Sequence, residues 1–369
     1  MEGPRAVRAD EMTSLSDLVD TVFRGGPGDR MFRQYPQLFN EANLDNLLVF
    51  ADGDRVVSHY GMTRRWACLG GCTVQMACAG AVATYEDYRG KGLATQLLEA
   101  SATKARNDGA DMAMISGGRG LYRRNGAVDY GFAAPVHVGA AEAERLHNPS
   151  LEARELTEND IDACAALYAG RSSRFIRPVD DWQWFFQSRG VMDSPCRGLA
   201  VTDRGVVCGY LMIAEPDAAG ASRVPEFGGN DHTVSGALAS IMRACGSKTL
   251  RFDLQEQDAP LRTALERAGC RADAPASSCT LMLLNFPQLM ERLRPWFEAR
   301  AGLSAARMMS FGHPEQDVFV FACGGGETRI EGRGAAASFI FRPGLEPAKP
   351  HPWNRIFPAP SLWYGLNYV

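Results

Sequence analysis

Arg89-Gly90-Lys91-Gly92-Leu93-Ala94 stands where a strand pattern gives way to a helix pattern. Small residues at 90, 92 and 94 let a ligand approach the main chain closely. The first amides of a helix lack internal partners, and the helix dipole adds positive potential there. The spacing therefore makes an anion site suited to a pyrophosphate, with Arg89 and Lys91 adding charge. Taken alone, the hexapeptide equally describes a glycine-rich turn with no ligand. It is not a G-x-x-x-x-G-K-[ST] phosphate loop, and the antiparallel hairpins before it exclude a dinucleotide fingerprint. A second group is Ser116-Gly117-Gly118-Arg119-Gly120-Leu121-Tyr122-Arg123-Arg124-Asn125-Gly126, which sets a phenol four residues before a glycine. On the residues alone, Tyr122 could pack on an amphipathic helix. The chain ends Ser-Leu-Trp-Tyr-Gly-Leu-Asn-Tyr-Val, apolar where termini are usually polar and frayed. That end is expected to be tucked in.

The elements that must carry these groups follow from periodicity and breakers. A short strand is expected at Val7 to Ala9, then a helix from Ser14 to Phe23, broken by Gly25-Gly26-Pro27-Gly28. A second, aromatic-rich helix is expected over Asp29 to Glu41. Leu47 to Ala51 and Arg55 to Met62 flank an Asp52-Gly53 turn, a strong hairpin signal. Strands follow near Trp66 to Leu69 and from Thr73 to Tyr85. The helix opened by the glycine turn buries Leu93, Leu97, Leu98, Ala102 and Ala105, and Asn107-Asp108-Gly109 ends it. Then come a strand (Met112 to Ser116), a short helix (Arg119 to Asn125) and a strand (Val128 to Val138).

The middle third repeats this plan weakly. Thr157 and Asp160 suit a capping box, Leu199 to Ile213 reads as a hairpin, and a strand at Leu250 to Leu254 leads to a helix ending at Gly269. Ala264 to Gly269 matches the Leu121 to Gly126 pattern, so an internal duplication is expected, with Leu265 where Tyr122 stands. Val224 to Ser235 holds Gly228-Gly229 but no counterpart of the Arg89 to Ala94 turn. From Phe286 an amphipathic helix begins. Strands are expected at Val318 to Ala322 and Ser338 to Phe341, then a proline-rich stretch from Pro343 to Pro360. Phe23, Phe32, Tyr35 and Phe39 offer aromatic surface or core. Trp66, Trp182 and Trp184 read as core or interface.

At about 150 residues per domain, 369 residues imply two or three domains. Apolar residues at 46% and charged residues at 22% exclude a disordered chain. A net charge of −4 without a basic block argues against nucleic acid as a partner. No apolar run approaches the ~20 residues of a membrane helix. Ten scattered cysteines without a CxxC pair read as reduced thiols in a cytoplasmic protein. Six histidines without HxxxH spacing give no metal site.

Two helices, a strand meander, R-x-x-G-x-A, then strand, helix and strand resemble the GNAT N-acetyltransferase superfamily. There Q/R-x-x-G-x-G/A binds the pyrophosphate of acetyl-coenzyme A (acetyl-CoA); here it reads Arg89-x-x-Gly92-x-Ala94. The resemblance implies that acetyl-CoA is the cosubstrate and that no metal takes part. It implies that Arg89, Gly90, Lys91, Gly92, Leu93, Ala94 and Thr95 cradle the pyrophosphate. It further implies that Val82, Ala83 and Thr84 pair with the pantetheine arm, beside Gly117 and Gly118, and that Tyr122 serves as general acid. One intact module, one without the motif and a small α+β module with a buried terminus resemble the Eis (enhanced intracellular survival) acetyltransferases. Those join tandem GNAT domains to a sterol-carrier-protein-like domain. The fold class implied is α/β (α+β), with boundaries 1–145, 146–285 and 286–369. The base implied is the C-terminal carboxylate, here on Val369 where related chains end in an aromatic residue; Glu86 competes with it. The activity implied is transfer of acetyl to a primary amine of a small molecule or a lysine side chain. A non-catalytic acyl-CoA sensor or a lipid-binding carrier is the alternative. Eis-like proteins assemble, so a homo-oligomer is compatible with this reading.

Overall fold

The computed structural model describes residues 1–192, 194–315, 317–345 and 349–369, and the architecture is mixed α/β. Contacts divide the chain into two units. One holds Met1–Tyr130, Cys279–Pro360 and Val369; the other holds Gly131–Ser278 and Ser361–Tyr368. The domain boundaries 1–145, 146–285 and 286–369 are a proposal taken up below.

In the first unit, strands β1 (Glu2–Ala6), β2 (Leu47–Asp52), β3 (Arg55–Leu69), β4 (Cys72–Thr84), β5 (Met112–Ile115), β6 (Val128–Tyr130) and β7 (Cys279–Leu283) form one sheet. Its order is β1-β2-β3-β4-β5-β7-β6. Helices α1 (Met12–Arg24), α2 (Leu93–Asn107) and α3 (Gly120–Arg124) accompany it. Leu93, Leu97, Leu98 and Ala105 of α2 bury against Val57, Tyr60, Met62, Ala77 and Ala79 of the sheet. Removing each such leucine from water contributes roughly 1.5–3 kcal/mol. Side chains alternate along a strand, so His59, Gly61, Thr63 and Gly80 face away from α2.

The link from β4 to β5 sets up the site. The two run parallel, paired from Met76–Met112 to Ala79–Ile115. The last contact is a 3.5 Å bond donated by the Ser116 amide to the Ala79 carbonyl. Beyond it β4 continues to Thr84 paired, among the described residues, only with β3, which leaves its other edge open.

Several elements differ from expectation. The first strand is Glu2–Ala6, and Ala9–Glu11 is a helical turn. The aromatic helix spans only Arg30–Gln34, because Pro36 disfavours helical backbone at Tyr35. Trp66–Leu69 is the continuation of β3. The run Val128–Val138 splits at Gly131 into β6 and a strand, Ala134–Gly139, of the other unit. Ser338–Phe341 is not a strand; it ends the helix Arg333–Phe341, which Ala335, Ala336 and Ala337 favour. The partner of Val318–Cys323 is Gly326–Glu331. Within the Pro343–Pro360 stretch, 346–348 lie outside the described residues.

The second unit holds Ser194–Asp203, Val206–Ala214 and Glu226–Gly229 in one sheet and Ala221–Val224, Thr249–Leu254 and Ala134–Gly139 in another. Its core includes Leu199, Leu211, Leu238, Phe252 and Leu265. Trp182 is 1% exposed between the rings of Tyr168 and Tyr210, which makes it core.

Candidate active site

The glycine turn has the geometry that anion binding needs. Gly90 and Gly92 take φ of +75° and +76°, where a side chain is strained. A Cβ at Gly90 would meet nothing within 4 Å, so the surface there is open. Gly92 is the N-cap of α2 and offers no side-chain cap, which leaves the amides of Leu93, Ala94 and Thr95 without intrahelical partners. The Arg89 guanidinium bonds the Thr84 carbonyl at 3.3 Å, tying the turn to the end of β4. Lys91 sits 4.4 Å over the Tyr88 ring, whose hydroxyl donates to Asp52 at 2.7 Å.

The open edge of β4 carries Val82, Ala83 and Thr84 toward the same turn. Opposite Tyr60, β4 bulges: the register slips between His59–Ala83 and Gly61–Gly80, and Ala81 takes φ +52°. Across the split, Gly117 and Gly118 are pinned by their carbonyls, which accept from Thr280 at 2.8 Å and Arg123 at 3.3 Å. The Tyr122 ring lies 3.6 Å from where a Cβ on Gly117 would stand. Burial pushes the Tyr122 phenol above its ordinary value, with Arg119 opposing, so it holds its proton at neutral pH. That is the state a general acid requires.

Val369 belongs to the same unit and is 4% exposed. A Cβ on Gly80 would overlap its carboxyl carbon and oxygen. The terminal carboxyl therefore rests on the bare backbone of β4 one residue before the bulge. Glu86 is exposed, in the Glu86–Tyr88 turn beyond Thr84, and lines a depression with Asp17, Arg55 and Arg89. Val369 thus lies at Gly80, beside the bulge. Phe39 is buried, stacked on Phe32 at 4.3 Å and 5.9 Å from the His59 ring.

Residues 4–132 match an acetyltransferase (GNAT) domain. No curated protein matches the chain. Among solved structures, a GCN5-related N-acetyltransferase from Anabaena variabilis is 16% identical and covers 89% of this chain and 84% of its own, with a TM-score of 0.64. A GCN5-related N-acetyltransferase from Kribbella flavida is 17% identical and covers 88% and 82%, at 0.60. Eis1 from Mycobacterium abscessus is 14% identical and covers 89% and 84%, at 0.57. At such identity the likeness is one of fold. Acyl transfer is the general chemistry that a GNAT acetyltransferase domain supports.

The second unit differs from residues 4–132 in these features. Its strand breaks at Pro225, and the helix that follows, Asp231–Cys245, is capped by its own Asn230, which accepts from the Thr233 amide at 2.8 Å. A side chain therefore takes one of the free amides at the start of this helix, where Gly92 offers none in α2. Leu265 is fully buried and has no proton to give. The strand split is lined instead by the tail: Trp363 donates to the Pro225 carbonyl at 3.0 Å and the Leu366 amide to Glu226 at 2.9 Å.

Sequence reasoning missed His59. Its Nδ1 lies 2.8 Å from the Ala81 carbonyl, and its Nε2 is buried with no partner among the described residues. The available signal was the spacing His59-x-Gly61 opposite Gly80-Ala81. Burial pushes the imidazole down to about 4, the Ala81 bond opposing weakly. The folded ring stays neutral while the unfolded ring, near ~6.5, takes a proton. Stability therefore falls as the pH drops from 6.5 to 4, by up to about 3 kcal/mol. Chemical denaturation of wild type and His59→Asn across that range should show the loss only in wild type. Parallel profiles would contradict it.

Proposed function

We propose that the chain transfers acetyl from acetyl-CoA to a primary amine of a small molecule or lysine side chain. The observation that carries this is the open helix N-terminus at Gly92 beside the open edge of β4. Arg89 to Thr95 hold the pyrophosphate, and Val82, Ala83 and Thr84, with Gly117 and Gly118, accept the pantetheine arm. The bound coenzyme supplies an activated acetyl thioester. The chain's own groups do the rest. The Val369 carboxylate takes the surplus proton from the attacking nitrogen, as the C–N bond forms and the C–S bond breaks. A backbone N–H on Val82 to Thr84 donates to the carbonyl oxygen as charge develops. Tyr122 gives its proton to the departing thiolate.

We further read the chain as Eis-like: a GNAT domain over 1–145, a degenerate copy over 146–285 and a sterol-carrier-protein-like module over 286–369. The likeness to Eis1 and the self-capped second site support this. We propose a cytoplasmic protein, compatible with a homo-oligomer, that binds neither nucleic acid nor membrane. Among the described residues no helix is long and apolar enough to cross a membrane.

The test is thiol release from acetyl-CoA over a panel of aminoglycosides, polyamines and lysine peptides. Wild type should release thiol with at least one amine. Tyr122→Phe should lower kcat by about 10²-fold or more with coenzyme affinity unchanged. Coenzyme binding without release across the panel would instead make the protein an acyl-CoA sensor.

A further inference from the structure

Gly61 and Gly80 are directly paired across β3 and β4. Opposed residues in such a pair project to one face, their Cβ positions about 4.5–5.5 Å apart. Both positions are bare, and each is roofed by a group with a proton function. A Cβ on Gly61 would stand 2.8 Å from Cε1 and 3.2 Å from Nε2 of His59. A Cβ on Gly80 would overlap the Val369 carboxyl. The imidazole and the terminal carboxyl are therefore neighbours on the sheet face turned away from α2, and both are buried.

The ring's tautomer follows from its bond. A carbonyl only accepts, so in the neutral ring Nδ1 carries the hydrogen toward Ala81. Nε2 is then a buried lone pair without a donor among the described residues. A carboxylate cannot satisfy it, because an ionised carboxyl only accepts. A carboxylic acid can. The orphaned acceptor is thus matched to one protonation state of its neighbour and mismatched to the other.

We propose that His59 is a positioning residue for the base: its Nε2 lone pair accepts the O–H of the Val369 carboxyl once that group has taken the proton from the amine. This rests on the reading of Val369 as base. The proton balance is closed. It leaves nitrogen, bonds to a carboxyl oxygen and is shared with Nε2, and returns to solvent when the product departs. The effect is to raise the proton affinity of a carboxyl that would otherwise be a weak base for an amine. It also accounts for the glycines, since a side chain at 61 or 80 would fill the space the two groups share. Titratable groups on the elements packed against this face are Cys78 on β4, Asp17 and Asp20 on α1, and Tyr35. Asp20 is engaged by the amides of Arg30 and Met31 at 2.9 and 2.8 Å.

The test reads the carboxyl itself. Wild type, His59→Asn and His59→Gln are labelled with carbon-13 at valine carboxyls, and the Val369 resonance is titrated. Asparagine keeps a donor for Ala81 but loses the acceptor; glutamine keeps an acceptor near the Nε2 position. The carboxyl midpoint should fall by about one pH unit in His59→Asn, the size of one hydrogen bond, and recover in His59→Gln. The acid limb of kcat should move with it, with KM for acetyl-CoA unchanged. In wild type the His59 nitrogen-15 resonance of Nε2 should start as an unprotonated nitrogen and shift with the carboxyl's own midpoint, a readout that needs no variant. A carboxyl midpoint insensitive to His59→Asn, or an Nε2 resonance that ignores the carboxyl, overturns the proposal. A turnover unaffected by blocking the carboxylate would sink the Val369 reading instead, and the titration would still report the coupling.

Discussion

Adding a short extension after Val369 is expected to lower turnover by about 10²–10⁴-fold, the range a positioned general base supplies. Two physical effects combine. The extension converts the carboxylate to an amide, which cannot take a proton. It also forces new atoms into a place where the chain end already rests on bare backbone, since even a Cβ at Gly80 would overlap the carboxyl. The coenzyme turn at Arg89 to Thr95 is untouched, so affinity for CoA should stay within about twofold of wild type, given that surface changes away from a site seldom matter more than ~0.5 kcal/mol. Val369→Ala keeps the carboxylate and should keep most activity. Steady-state thiol release and calorimetry separate the two effects. Full turnover with the tail extended would remove Val369 from the mechanism.

The second large effect is on stability. Arg177 and Glu226 form a buried two-pronged pair at 2.8 and 2.7 Å, with side chains 2% and 6% exposed. Tyr210 donates to Glu226 at 2.9 Å, and Arg177 also reaches Asn367 at 2.9 Å. Asn367 in turn donates to Asp181 at 2.7 Å. Burial pushes the Glu226 carboxyl up, but the Arg177 charge and the hydrogen bonds outweigh it and hold the group below its ordinary value. Arg177→Ala leaves that carboxylate buried and unpaired, which should cost about 3–5 kcal/mol in urea unfolding. The double change Arg177→Met with Glu226→Leu should recover much of the loss, because an apolar pair of similar volume avoids the desolvation penalty. A single-variant loss below 1 kcal/mol would contradict this account. Because the Glu226 value is depressed, its contribution is present above the unfolded carboxyl value and fades as the pH falls through the folded one.

Much of the first unit was legible because its signals are local. The Asp52-Gly53 turn, the α2 periodicity and the glycines at 90 and 92 each dictate their own backbone. The strand and helix around Tyr122 follow from short-range pattern in the same way. What was not legible depends on partners distant in sequence. Cys279–Leu283 is a short apolar strand whose pairing with β5 and β6 no local pattern encodes. Ser338–Phe341 is an apolar run short enough to read either way, and alanines upstream decided for helix. His59 escaped notice because its spacing to Gly61 gains meaning only once Gly80 and Ala81 are known to lie opposite. Its meaning comes from the bulge at Ala81 and from a chain end more than 300 residues away. Asn230 shows the converse. One side chain caps the start of Asp231–Cys245, whereas Gly92 leaves the start of α2 uncapped.

All of this presupposes that the amides opening α2 grip a diphosphate. The direct measurement is isothermal titration of CoA into protein freed of endogenous ligand. The account predicts saturable heat that weakens markedly when Arg89 and Lys91 are both replaced by alanine. A flat titration of the wild-type protein would contradict it.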